Sequence, residues 1–187
     1  MIESYDDTEE LADFAAAVAG DDRAPVVVIA GCGTAPTVTG LRERGVDAYG
    51  FDAEPEILET ADPATREFLV EADLRDEALL ETLRDAFGID EIDLFVTECM
   101  LSFLTVDEAR TALARIREAP GVGRLVHRVR MDPPVSAQLG EIDVTILTPE
   151  EWREACDPDG ADVWRDGFEP WNLPTLEDAD PDGATAD

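Results

Sequence analysis

Apolar positions along the chain alternate between two patterns. Pro25-Val26-Val27-Val28-Ile29-Ala30 is a continuous apolar run rich in β-branched residues, which predicts a strand buried on both faces. Leu11, Phe14, Ala15 and Val18 ahead of it recur at helical spacing, as do Leu79, Leu80, Leu83 and Phe87 further on. Read this way, the chain opens with a helix over about 7–19. Strands follow at 25–30, Ala48–Phe51, Glu67–Glu71, Ile92–Thr97 and Arg124–Arg130, with a sixth at Ala161–Arg165. Helices fill the intervals at about 37–44, Pro55–Ala61, 76–87 and 105–118, and another opens at Thr148. Punctuation agrees with the pattern: Gly45 suits a helix end, and Thr105 with Glu108 forms a capping box. Strands separated by helices of about ten residues predict βαβ units, hence a doubly wound α/β fold, mostly parallel, with helices on both faces. No convincing seventh strand is visible, so the sheet is expected to be truncated at its C-terminal hairpin. Residues 1–175 read as one domain, and 176–187, with little to bury, as an acidic disordered tail.

Composition narrows the chemistry. The 187 residues carry 14 Lys+Arg against 45 Asp+Glu, a formal charge of −31, yet 44% are hydrophobic, enough for an ordinary core. No lysine occurs; every basic residue is arginine. That excludes a Walker A phosphate loop, a protein-kinase site, a pyridoxal Schiff base and a Tyr/Lys reductase pair. Carboxylates in this number repel one another at low salt, whereas at about 1 M salt the Debye length is roughly 3 Å and the repulsion is screened. The composition is therefore that of a halophilic protein in a salt-filled cytoplasm; a surface that mimics nucleic acid or recruits basic partners is the other reading. Sequestration of nucleic acid by bulk charge is not expected, since no Lys/Arg stripe is present. Cys32, Cys99 and Cys156 are widely spaced and His127 is the lone histidine, so no metal spacing exists. The acidic first residues have no signal-peptide pattern and no apolar run reaches membrane length, which predicts a cytoplasmic chain off the membrane.

In doubly wound sheets ligands bind beyond the carboxyl ends of the strands. After strand one comes Gly31-Cys32-Gly33-Thr34-Ala35, whose glycines permit a tight turn and close backbone approach, with Thr37 opening the next helix. Asp52 ends strand two, nineteen residues after Gly33, where a carboxylate can accept both hydroxyls of a ribose. Asp73 ends strand three, where it can take the exocyclic amine of an adenine while Leu74 offers its N–H. The three together describe an adenosine-containing ligand. A dinucleotide fingerprint would place Pro36 at its third glycine, where close helix packing is needed, and so fits poorly.

The Gly31–Ala35 loop resembles instead the first motif of the class I S-adenosylmethionine-dependent methyltransferases, which have a Rossmann-like fold. The resemblance extends over Val27–Ala35, Gly50-Phe51-Asp52-Ala53, Glu71-Ala72-Asp73-Leu74, Ile92–Leu104 and Thr148–Trp152, about residues 25–165. It implies S-adenosylmethionine as cofactor, bound by Gly31, Cys32, Gly33, Asp52, Ala53, Asp73, Leu74 and Glu98. Gly31 and Gly33 would lie on the methionine part, Asp52 on the ribose, Asp73 and Leu74 on the adenine. Glu98 and Cys99 would face the methyl-donor side. The chain departs from the family at Ile29, where an acidic residue is usual, and at Ala35 in place of a third glycine. The function implied is methyl transfer to an unidentified acceptor, a small molecule being favoured because no RNA-binding domain is appended. The alternative is a non-catalytic, methyltransferase-like binding module acting through a partner.

Each residue also has a structural reading. Asp52 can serve the helix N-terminus at Pro55, Asp73 can cap a helix near Asp76, and Glu98 can be a cap carboxylate. Cys32 reads as turn filler, Cys99 as a packed thiol and His127 as a core histidine. Arg128 and Arg130 share one strand face, either paired with carboxylates or, for Arg130, set against an anionic substrate group. Glu98 and Asp132 are the carboxylates best placed for a general base. From the charge alone, the thermal midpoint is expected to rise steeply as KCl is raised to about 1 M; a flat salt dependence in a calorimetric scan would contradict the halophilic reading.

Overall fold

The computed structural model describes residues 7–20, 22–129, 143–166 and 173. Helix α1 (Asp7–Ala19) precedes strand β1 (Val26–Ala30), followed by α2 (Pro36–Glu43), β2 (Asp47–Asp52), α3 (Pro55–Leu58) and β3 (Leu69–Glu71). The second half runs α4 (Leu79–Phe87), β4 (Ile92–Glu98), α5 (Val106–Glu118), β5 (Val122–Val129), α6 (Pro149–Cys156) and β6 (Val163–Asp166). The six strands form one sheet in the order β3-β2-β1-β4-β5-β6, and every pairing is parallel. This is the doubly wound topology expected from the sequence, with the winding reversing between β1 and β4. Among the described residues no seventh strand joins the sheet. The proposed tail at 176–187, Arg130 and Asp132 lie outside the described residues.

Burial explains the apolar runs. In β1, Val27 and Ile29 face a core shared with Leu11 and Phe14 of α1 and Val38 and Leu41 of α2. Val28 and Ala30 face the opposite core, with Leu83 of α4, Leu113 and Ile116 of α5 and Trp152 of α6. Alternate residues of β4 divide the same way, Leu94 and Val96 on one side and Phe95 on the other. A strand covered on both faces has no solvent side to make polar, which is why periodicity is absent there.

Several boundaries differ from the sequence reading: α3 stops at Leu58 short of Ala61, β5 begins two residues earlier and β6 two residues later, and two further shifts have a visible cause. The third strand begins at Leu69, because Arg66–Phe68 forms a 3-10 turn in which Arg66 Nε donates to Ala61 O at 3.0 Å. Helix α4 begins at Leu79, because Asp76 Oδ1 accepts the Ala78 N–H (2.9 Å) and draws the chain into a side-chain turn first. Both Thr-x-x-Glu capping boxes are formed, Thr105 with Glu108 on α5 and Thr148 with Glu151 on α6.

β6 is fastened by a buried polar cluster. His127 of β5 is fully buried; Nδ1 lies 2.9 Å from Thr97 Oγ1 and Nε2 lies 3.1 Å from Asp162 Oδ2. Its ring packs on Trp164 at 4.1 Å between centroids, and Arg117 of α5 also pairs with Asp162. These contacts make His127 a core histidine. Burial pushes the Asp162 carboxyl up, but hydrogen bonds from His127 and Arg117 outweigh it and hold the group below the usual carboxylate range. A group depressed in the folded state stabilises above its unfolded value, near 4, and that contribution is lost as pH falls through the folded value. Asp162→Asn is expected to cost about 3 kcal/mol at neutral pH in urea titrations, since it strands the buried partners of the pair. The deficit should begin to shrink below about pH 4, where the unfolded chain takes up its proton, and close as pH falls through the lower folded value.

Candidate functional site

The crevice at the reversal of winding is a cavity of about 670 Å³ beyond the carboxyl ends of β1 to β4. Gly31, Asp52, Ala53, Asp73, Leu74 and Glu98 all line it, as does Cys99. Cys32 and Gly33 do not. Cys32 is buried beneath the turn against Gly50, where an added Cβ would lie 2.9 Å from its Sγ. Burial, with the nearby Asp52 charge, pushes the Cys32 thiol up to about 12, so it is no nucleophile at neutral pH.

The turn after β1 is set by backbone geometry. Gly31 has φ +71° and lies so near Met100 that a Cβ there would come within 2.5 Å of the Met100 Cβ. The N–H groups of Gly31 and Cys32 both donate to Phe51 O, at 3.0 and 3.1 Å, tying the turn to β2. Gly33 contributes from behind the cavity wall: its N–H donates to Asp52 Oδ2 at 3.0 Å, while the Glu54 N–H donates to Oδ1 at 3.1 Å. Asp52 is thereby oriented by one backbone donor on each oxygen. A carboxylate has about four acceptor sites, so it retains capacity for two further hydroxyls.

The other carboxylates are held differently. Asp73 neither caps α4 nor stands open. Its Oδ1 accepts the backbone N–H (2.8 Å) and Nε (2.9 Å) of Arg75, and its Oδ2 accepts Arg75 Nη2 at 2.5 Å. The guanidinium fork holds this carboxyl below its usual range. Glu98, the last residue of β4, accepts the Thr37 hydroxyl at 2.8 Å on Oε2, and Arg128 Nη1 lies 3.7 Å from Oε1. It is a site wall that reaches across to α2, and α5 takes its cap from Thr105 instead. Arg128 is buried beside it, so the pairing foreseen for this strand arginine is formed. Ile29, fully buried between the sheet and α1 and α2, does not reach the cavity.

Sequence reasoning missed several wall residues. Ile57 and Phe103 are the exposed large hydrophobics among the described residues, at 39% and 48%, and both line this cavity. Arg75 also lines it, and so does Glu54. Only Arg75 had a local signal, its spacing two residues after Asp73. Four carboxylates against one guanidinium give the lining a formal charge of −3.

Solved structures share this architecture. A TehB-like SAM-dependent methyltransferase from Corynebacterium glutamicum ATCC 13032 Kitasato superposes with a TM-score of 0.51 at 25% identity, over 66% of this chain and 61% of its own. SAM-bound CalS10, an amino pentose methyltransferase from Micromonospora echinaspora, gives 0.51 at 25% identity, over 66% of this chain and 50% of its own. Human N-acetylserotonin methyltransferase in complex with SAM gives 0.54 at 18% identity, over 82% of this chain and 46% of its own. The chain thus spans between about half and three fifths of the length of these proteins. Neither a protein-family model nor a curated protein sequence matches it.

Gly31→Ala is expected to destabilise the protein by about 2–4 kcal/mol, from the left-handed backbone and the collision with Met100 together. A shift of less than about 1 kcal/mol in thermal melts would mean that the turn is not under this constraint. With its strand order, its cavity at the reversal of winding and these structural relatives, the chain has the Rossmann-like fold of the class I S-adenosylmethionine-dependent methyltransferases.

Proposed function

We propose that the chain binds S-adenosylmethionine in the cavity beyond β1 to β4 and catalyses transfer of its methyl group to a small-molecule acceptor. The observation that carries this reading is Asp52, a carboxylate oriented by the Gly33 and Glu54 N–H groups and open to the cavity. Its remaining acceptor sites suit the two hydroxyls of a ribose. Gly31 offers a wall without a side chain on the methionine side. Leu74 and Ala72 flank the base at the end of β3, and Ile57 and Phe103 supply apolar cover at the rim. The lining charge of −3 favours a cationic ligand, and the cofactor carries a positive sulfonium.

When bound, S-adenosylmethionine would supply an electrophilic methyl group to an acceptor lone pair, with S-adenosylhomocysteine as the leaving group. The protein's own part is alignment, which can contribute several kcal/mol towards the barrier. Glu98, fixed by Thr37 and Arg128, places a negative charge on the methyl-donor side. The CalS10 relative, acting on an amino pentose, supports a small acceptor here.

Titration calorimetry in about 2–3 M KCl, where surface repulsion is screened, is the test. Wild type is expected to bind S-adenosylmethionine and S-adenosylhomocysteine, and Asp52→Ala to lose affinity by about 100-fold or more, the worth of two charge-assisted hydrogen bonds. Undiminished binding by Asp52→Ala would overturn the assignment. Tight binding without transfer to any acceptor in a small-molecule panel would favour the non-catalytic module.

A further inference from the structure

The end of β3 carries an arrangement that base recognition by a carboxylate does not require. Arg75 occupies both oxygens of Asp73, and its third nitrogen, Nη1, lies 3.6 Å from Glu108 Oε1. Glu108 is itself fixed, because it accepts the N–H (2.8 Å) and the hydroxyl (2.7 Å) of Thr105 in the α5 capping box. The guanidinium therefore sits between two carboxylates, one of them tied into a helix cap. A backbone bond from the Arg75 N–H to Asp73 Oδ1 sets the same local turn.

Counting acceptor sites gives the consequence. A carboxylate offers about four, and Arg75 makes four contacts on Asp73, its backbone N–H and Nε on Oδ1 and its Nη2 with Nε (3.1 Å) on Oδ2. An exocyclic amine entering the cavity could bond to Asp73 only by displacing part of a bidentate ion pair, exchanging a bond from a charged donor for one from a neutral donor. The guanidinium, which has donors only, offers an amine nothing in return. Both residues line the cavity, so the edge presented to the base is that of the pair and not of a free carboxylate.

We infer that Arg75 is a specificity-determining residue that withdraws Asp73 from base recognition, so that the site holds a purine nucleoside without reading its 6-amino group. The inference rests on the cofactor reading above and refines it. The base is held by the apolar walls Ala72 and Leu74 and the rim residues Ile57 and Phe103, together with the ribose bond to Asp52. Arg75→Ala would return Asp73 to the cavity with its acceptor sites restored and create selectivity for the amine.

The test compares two ligands by calorimetry: S-adenosylhomocysteine and its analogue with hydrogen in place of the 6-amino group, which keeps the ring nitrogens unchanged. Wild type is expected to bind the two within about threefold, because the amine meets no vacant acceptor. In Arg75→Ala the preference for the amine should rise at least tenfold, the worth of a hydrogen bond to a charged group. The double variant Arg75→Ala/Asp73→Asn should return the ratio towards that of wild type, which separates recovered recognition from general loosening of the site. A wild-type preference for the amine above about 100-fold overturns the inference, as does a ratio unmoved or lowered by Arg75→Ala. Failure of wild type to bind S-adenosylhomocysteine at all removes both this inference and the cofactor reading. Binding of both ligands with an unmoved ratio removes this inference alone. Thermal melts of each variant verify folding, and Arg75→Gln, which keeps a polar side chain but no fork, repeats the comparison if Arg75→Ala is unfolded.

Discussion

Everything in the crevice depends on the reversal of winding between β1 and β4. Parallel pairing sets Ala30 against Phe51 on one side and against Thr97 on the other. The next residue of each strand is then Gly31, Asp52 and Glu98, brought together at one level with no long loop to position them. Gly31 must be a glycine because Met100, following β4, packs directly on it. The same turn is fastened to β2 through Phe51 O, so the two neighbours of β1 meet across a single residue without a side chain. A register slip of one residue would exchange side chains between the two cores and carry Asp52 or Glu98 out of level with Gly31.

Charge is distributed unevenly in a way that composition conceals. Arginines are outnumbered by carboxylates, yet several have a shortest ion pair to a definite one: Arg23 to Asp93, Arg75 to Asp73, Arg117 to Asp162 and Arg128 to Glu98. Three of those carboxylates are at strand ends or in strands, where a fixed position matters. The planar fork of arginine fits a carboxylate with two bonds, and lysine lacks that geometry. Concentrated salt weakens repulsion between distant surface carboxylates far more than it weakens these close contacts. Salt concentrated enough to screen the acidic surface would therefore leave these pairs largely in place.

Legibility in the sequence followed burial. β1 and β4 were readable to within a residue because both faces are covered and both are written in β-branched and aromatic residues. β3 was not, since its three residues are only half-buried or exposed and Phe68 before it is held from outside, under the Arg42 guanidinium. Asp52 was legible because its place depends on strand length and spacing alone. The state of Asp73 was not, because it depends on which rotamer Arg75 adopts and on Glu108, which arrives 33 residues later by way of a helix cap. Ile57 and Phe103 were not assigned for the same reason: each reaches the rim from an element whose approach only the tertiary packing determines.

Ile29 shows how such a departure can be absorbed. Its side chain is directed into the α1/α2 core with Val27 and Val38, where a carboxylate would have to be buried among apolar neighbours at a cost of several kcal/mol. Negative charge reaches the cavity from Asp52, Glu54, Asp73 and Glu98 instead, each carried on a strand end or the loop beyond it. Since Arg75 neutralises Asp73, the net field of the crevice is concentrated between β2 and β4, on either side of Gly31. A cation entering along that line meets carboxylates that are already oriented, Asp52 by two backbone donors and Glu98 by the Thr37 hydroxyl and Arg128. Little reorganisation is then required of the protein when the charge arrives, and that preorganisation is the electrostatic property a sulfonium-binding site needs.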